Sequence, residues 1–390
     1  VTETYPPQIN GVALTIDRLV QGLRLQGHAV SVVRPRQSFD GSRFAYGPRV
    51  TLVPALPLPA YRGLSVGLPA GGVLRRRWTE DPPDIVYVAT EGPLGWSAVR
   101  AARRLRIPVF SGFHTNFHSY SKHYHVGWLR FLILRYLCKF HNRTLGTVVA
   151  SIDLRDQLRA IGLKNITVLG RGVDSRLFKP ERRSAALRRM WGATDNDLVA
   201  LYVGRIAPEK NLGLAIESYR EMQRVNKAVR FVLVGDGPSR AALQKKHADI
   251  IFCGVHMGEE LAKRYASADV FLFPSETETF GNVTLEAMAS GLVVIAYDYA
   301  AARMHITDGQ TGVLVPYGQS AAFVGAAAKL TRDPQFLAKT RRQAREYAST
   351  LDWQCVVDRF NKILVAALHQ ERIASADGTI ETMEGVSLRY

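Results

Sequence analysis

Short apolar runs rich in β-branched residues alternate along the chain with longer stretches whose apolar positions recur every three or four residues. In the first part the short runs fall at 29–34, 49–54, 85–90, 109–112, 147–151 and 166–169; in the second, at 199–203, 231–234, 250–253, 269–273, 293–297 and 312–315. Helical periodicity fills the intervals and dominates the end, over 321–330, 335–348 and 353–369. Strands separated by helices predict a doubly wound parallel sheet, and two such sets predict two Rossmann-like halves of an α/β protein. Residues 168–180, VLGRGVDSRLFKP, carry two glycines, a charged turn and a closing proline, which suits a connection between halves. The expected domains are 1–170 and 171–350, followed by a helix at 351–369 and a tail at 370–390 poor in large apolar residues. The Pro- and Gly-rich string 54–72 is expected to be a loop. At the start, VTETYPPQINGVALT reads as the end of a strand, a loop and a helix from Val12, so most of a first strand is expected to be missing.

Size and composition narrow this picture. At 390 residues the chain is too long for one ordinary core, and 47% hydrophobic with 22% charged residues is the composition of a globular protein. No apolar run is long enough to cross a bilayer, and no signal-peptide pattern opens the chain. Cys138, Cys253 and Cys355 are far apart, without pairing or metal-ligand spacing, which fits a reducing, cytoplasmic setting. The net charge of +17 is uneven: residues 1–170 hold 22 Lys and Arg against 9 acids, and residues 171–390 hold 29 against 25. No zinc-finger spacing, RNP string or basic repeat accompanies the charge, so nucleic acid is not an expected partner. The helical stretch around Trp128, Phe131, Leu132, Arg135 and Tyr136 mixes aromatic and basic residues, as a helix on an anionic membrane surface would; a core-packed helix with a solvated edge reads the same way.

Candidate chemistry clusters where strands end. In FPSETETFGNVTLEAMASG, 273–291, a strand stops at Pro274-Ser275 and a helix starts near Asn282, placing Glu278 before the helix and Glu286 about a turn inside it. A helix start after a buried parallel strand presents unpaired N–H groups that favour phosphate, and Gly281 lets a ligand approach. By spacing alone the two acids are equally well read as solvated or capping residues. Arg205 and Lys210 follow the strand ending at Gly204, where two cations suit a diphosphate, although such residues are ordinarily just solvated. Gly11 stands where the first loop turns into a helix, and His114 directly follows a strand. Gly235 and Gly237 of the GDG turn, and Val255 within 253–256, stand at further strand ends suited to a nucleotide base, although neither segment gives a G-x-G-x-x-G fingerprint.

The full strings carry more than the spacing does. PSETETFGNVTLEAMASG resembles the E-x7-E donor-sugar motif of the family 4 retaining glycosyltransferases, the GT-B group that includes bacterial α-mannosyltransferases. FHT at His114, GR-x4-K at Arg205 and Lys210, and GVD…F.P in the connection resemble that family's segments, in its order. The resemblance implies a GT-B fold whose last helix crosses back to the first domain, and transfer of a hexose from a nucleotide diphosphate sugar to a hydroxyl acceptor. It further implies that Glu278 and the backbone of Gly281, Asn282 and Val283 hold the sugar and that Glu286 holds the ribose. Arg205, Lys210 and the Gly11 loop hold the diphosphate, and His114 faces the sugar from the other domain. It implies no metal and no cofactor beyond the co-substrate, and same-face attack without a carboxylate nucleophile. The strings look most like those of GDP-mannose users, with UDP-glucose and UDP-sulfoquinovose users as alternatives and a glycolipid or glycan as acceptor. A nucleotide-sugar epimerase shares the architecture but does not need the paired acids. A basic nucleic-acid binder would leave them and the Arg205–Lys210 spacing without a role.

Overall fold

The computed structural model describes residues 1–8, 10–37, 40, 50–57, 65–114 and 127–376. In the second half, six parallel strands lie in the spatial order Ile251–Gly254, Arg230–Val234, Val199–Val203, Val270–Phe273, Val293–Tyr297, Val313–Val315. Counted along the chain, this is third, second, first, fourth, fifth, sixth. The winding direction therefore reverses between Val199–Val203 and Val270–Phe273, which pair through Ala200 with Val270 and Leu201 with Phe271. A sheet wound this way leaves an open crevice at the carboxyl ends of those two strands. The central strands are apolar because helices cover both faces; Val199–Val203, Val270–Phe273 and Val293–Tyr297 are buried along their whole length.

The first half repeats the arrangement. Strands Val86–Val88, Val109–Phe113, Thr147–Val149 and Ile166–Val168 form one parallel sheet, and Val32–Pro35 pairs with Val50–Val53. Residues 1 and 2 lie between the two sets: the Thr2 N–H donates to Val33 O at 3.0 Å, and the Ala89 N–H donates to Val1 O at 2.9 Å. The direction reversal therefore sits beside the opening residues, whose loop leads to Gly11.

Both passes of the chain between halves run side by side. The Val173 N–H donates to Leu351 O at 2.9 Å just before the last helix, Trp353–Ala376, begins. That helix crosses back and packs Val357, Phe360, Leu364 and Ala367 against Leu19, Phe110, Val148 and Leu169 of the first half. It runs past the expected end at 369 because Gln370–Ala376 contains good helix formers and the next glycine is Gly378. A second difference lies in 54–72, expected as a loop. Ala55–Pro57 and Ser65–Gly67 pair antiparallel there, Leu56 opposite Val66, with Pro57 at a strand end where no donor is missed.

At the amino end of the Val270–Phe273 strand, away from the crevice, Asp269 gathers three guanidinium groups: Arg341 at 2.9 Å, Arg183 at 3.0 Å and the fully buried Arg188 at 3.2 Å. It also accepts the Val199 N–H at 2.9 Å, tying the first and fourth strands together beneath the reversal point. Among the described residues, no helix is long and apolar enough to cross a membrane.

The closest approach in the crossing is at Gly22, where a Cβ would stand 2.4 Å from Cγ2 of Val357. Helix propensity alone favours Ala over Gly by up to about 1 kcal/mol, whereas overpacking costs about 1–3 kcal/mol. Gly22→Ala is therefore expected to lower the midpoint of chemical unfolding, and Val357→Ala in the same chain to recover part of the loss. A Gly22→Ala protein at least as stable as the parent contradicts this packing.

Candidate active site

The reversal point of the second half is where its charged residues meet. The strand Val199–Val203 ends at Gly204, and a short 3-10 turn, Pro208–Lys210, leads through Asn211 into the helix Leu212–Val225. Across the crevice, the loop after Val270–Phe273 carries Ser275 to Gly281. The Lys210 Nζ lies 2.5 Å from Glu278 Oε1 and donates to Thr277 O at 3.2 Å, while Ser275 Oγ donates to the same carboxylate oxygen at 2.8 Å. Asn211 Nδ2 donates to Glu276 Oε1 at 3.2 Å, so the two loops are stitched together beside this pair. Lys210 and Glu278, read from sequence as diphosphate and sugar ligands, are thus in direct contact. Arg205 stands apart, 59% exposed, 3.5 Å from Glu209.

Gly281 adopts a left-handed conformation, φ +95°, directly before the helix Asn282–Ala289, and among the described residues no side chain caps that helix. The Thr284 N–H donates to Gly281 O at 3.0 Å, whereas the N–H groups of Asn282 and Val283 have no partner among the described residues, and the absence of a Cβ on Gly281 keeps the approach to them open. Val283 packs against the core. Glu286 accepts a hydrogen bond from Tyr265 Oη at 3.0 Å, and burial pushes its carboxyl up to about 7, so a ligand that donates hydroxyl groups would favour its charged form.

The opposite wall comes from the first half. Asn10 caps the helix Gly11–Leu25, its Oδ1 accepting the N–H groups of Val12 at 3.1 Å and Ala13 at 2.8 Å. Those two donors, which the sequence suggested for a phosphate, are therefore engaged by the chain itself. Gly11 faces the second half: a Cβ there would stand 3.6 Å from Nη1 of Arg171 and 4.0 Å from Nδ2 of Asn282. His114 follows the strand Val109–Phe113 and is 8% exposed. Its Nε2 lies 2.9 Å from Tyr87 Oη, and its Nδ1 has no partner among the described residues. Burial, then the nearby Arg171 cation, push the imidazole down to about 3, so it is neutral at physiological pH. His118, His123 and His125 lie outside the described residues.

Arg171 is the residue that sequence reasoning missed. In sequence it is one residue of a connecting string, and an arginine between two glycines in a segment that passes the cleft is the available signal. Its Nη1 donates to Asn282 Oδ1 at 3.2 Å, and its guanidinium lies over the Phe280 ring, 5.7 Å from the centroid. The halves are further joined by Asp153, which accepts the Ala300 N–H at 2.9 Å and pairs with Arg303, and by Arg18 with Asp174 at 3.0 Å.

Gly235 and Gly237 have a packing reason for being glycine. A Cβ on Gly235 would stand 1.9 Å from Gly204 O, and one on Gly237 would stand 2.3 Å from Ile206 O. They form the backing of the turn after the first strand, and Val255 is 64% exposed at the edge of the same sheet.

Residues 9–177 match the family model described as Glycosyltransferase Family 4, and residues 197–333 match that described as Glycosyl transferases group 1. A GDP-mannose-dependent alpha-mannosyltransferase of Mycobacterium tuberculosis is 36% identical over 332 residues, covering 82% of this chain and 83% of the relative. A protein of the same name from Corynebacterium glutamicum is 33% identical over 91% of this chain and 85% of its own length. The chain belongs to glycosyltransferase family 4. Among solved structures, Anabaena Alr3699/HepE in complex with UDP superposes on this family 4 chain with a TM-score of 0.73. The match covers 94% of this chain and 99% of that one at 19% identity. The shared fold is GT-B, as the sequence strings implied.

The burial of His114 has a direct spectroscopic consequence. In a sample with labelled histidine rings, assigned with a His114→Gln variant, its NMR signals are expected to stay at the neutral position from pH 8 down to pH 5. A midpoint near 6.5, the value of a free imidazole, contradicts the enclosed site.

Proposed function

We propose that this glycosyltransferase moves a mannosyl group from GDP-mannose to a hydroxyl acceptor with retention of the anomeric configuration. The observation that carries the reading is the Lys210–Glu278 contact at the sheet's reversal point, beside an uncapped helix start. That crevice is where open α/β sheets bind nucleotides, and the relatives of this chain named above are GDP-mannose-dependent.

In this reading the diphosphate enters between Lys210 and the helix starts, with Arg205 swinging in from solvent. Glu286 accepts the ribose hydroxyls. Glu278, released from Lys210, accepts sugar hydroxyls alongside the backbone of Gly281, Asn282 and Val283. Gly235, Gly237 and Val255 lie along the path proposed for the base, and Gly11 and His114 close the pocket from the other half. During transfer the bond from the sugar C1 to the β-phosphate oxygen breaks, and its electron pair leaves with the diphosphate. The acceptor oxygen bonds to C1 on the same face, and its proton passes to the departing phosphate oxygen. Positive charge is then needed at the leaving group rather than a nucleophile beneath the sugar, and Lys210, Arg205 and a helix N-terminus are proposed to provide it without a metal ion. The first half supports an acceptor at an anionic membrane surface, such as a glycolipid, because Phe131 is 62% and Leu132 48% exposed on a helix of the more basic half.

Two experiments test this. Glu278→Gln is expected to cut kcat by about 10²-fold or more while changing GDP affinity by less than about threefold, because the lost interactions are with the reacting sugar. A fully active variant removes Glu278 from the sugar site. With a panel of GDP and UDP sugars, hydrolysis and transfer are expected with GDP-mannose and to persist in EDTA. Activity confined to a UDP sugar would reassign the donor, as the UDP bound in the Anabaena structure suggests. Activity lost in EDTA and restored by Mg²⁺ would contradict the metal-free leaving group.

A further inference from the structure

Arg171 is a buried cation. It is 8% exposed, and among the described residues its guanidinium forms no ion pair. Its hydrogen bond goes to a neutral amide oxygen, Asn282 Oδ1 at 3.2 Å. The polar groups nearest it cannot neutralise it: Tyr87 and His114 are uncharged, and Glu278, the carboxylate whose field it feels, is held by Lys210. Burial lowers Arg171 only to about 10, so the group remains a cation at neutral pH. A charge held out of water in this way costs several kcal/mol unless something compensates it.

Its position indicates what that compensation is. Arg171 lies between two helix starts, one from each half. A Cβ on Gly11, the first residue of the Gly11–Leu25 helix, would be 3.6 Å from its Nη1, and Asn282, the first residue of the Asn282–Ala289 helix, accepts its hydrogen bond. Both helix ends carry partial positive charge, so three positively polarised groups converge with no anion among them. We propose that Arg171 is a donor-binding residue that contacts the diphosphate of the nucleotide sugar from the hinge side of the cleft, so that one anion is held by both halves at once. This rests on the nucleotide-sugar reading given above and adds to it a third cation, opposite Lys210. Because Arg171 belongs to the segment joining the halves, a bound diphosphate also fixes their relative position.

The proposal separates a ligand-binding arginine from a structural one, since the two have opposite effects on the empty protein. Removing an uncompensated buried cation relieves its desolvation cost, whereas removing a structural one leaves a hole. The variant is Arg171→Met, of similar length and without charge, compared with Arg171→Lys. The readouts are the thermal midpoint without ligand and calorimetric affinities for GDP and for guanosine. The expected results for Arg171→Met are a ligand-free midpoint equal to or above that of the parent and unchanged guanosine affinity. GDP affinity is expected to fall about 10- to 100-fold, the effect of one lost charge-assisted contact. Arg171→Lys is expected to recover part of that loss. GDP affinity within about twofold of the parent overturns the inference alone. So does a lowered midpoint with equal losses for GDP and guanosine, the pattern of a structural arginine. A parent protein that binds neither GDP nor UDP overturns the donor reading, and this inference with it.

Discussion

The structure depends on two helices being made to point their amino ends at each other across a cleft. Each end is positively polarised, and Arg171 stands between them, so the arrangement favours an anion in the cleft. It is maintained by apolar packing elsewhere. The Gly11–Leu25 helix is pressed against the returning helix Trp353–Ala376, and the Asn282–Ala289 helix buries Leu285, Ala287, Met288 and Ala289 in the core of the second half. The hydrophobic contacts thus hold in place a set of charges that would otherwise move apart, as pre-organised sites require.

The same logic explains why the Gly11–Leu25 helix meets the Trp353–Ala376 helix. Both connections between halves pass at Val173 and Leu351, and beyond that point the last helix is anchored on the first half. Glycine is used where these crossings are tightest: Gly22 under Val357, and Gly172, where a Cβ would stand 2.7 Å from the Trp353 nitrogen. Contacts further out, such as Asp153 with Arg303 and Arg18 with Asp174, are polar and partly exposed. Such pairs contribute little each and exchange readily with water. The hinge region is accordingly packed tightly, while the rims of the cleft are held by replaceable contacts.

Much of this was legible in the chain. Parallel strands buried on both faces are near-continuous apolar runs, so 199–203 and 293–297 were found with their observed limits. Runs such as 85–90 and 147–151 were read too long, because the apolar or small residues that follow Val88 and Val149 extend the pattern past the strand ends. The short antiparallel pair near Leu56 was invisible among prolines and glycines, since its pairing depends on a partner several residues away. At the site, residues fixed by local geometry were readable: Gly281 at a left-handed helix start, and Lys210 and Glu278 after neighbouring strands. What depends on the third dimension was not. Nothing local tells that Gly235 is a glycine because Gly204 O lies behind it, whereas Asn10, an N-cap residue type directly before the helix, is a local signal that it takes the donors next to Gly11. Arg171 acquires its meaning only when two halves far apart in sequence close around it.

The central claim is that one anionic ligand is held by both halves at the paired reversal points. Hydrogen–deuterium exchange with and without GDP-mannose tests it most directly. Slowed exchange on ligand addition is expected in three segments together: the Gly11 helix start, the turn from Gly204 to Lys210, and the stretch from Glu278 to Glu286. Protection confined to the second half, or absent from both the Gly204 turn and the Asn282 helix start, would contradict a site built between the two.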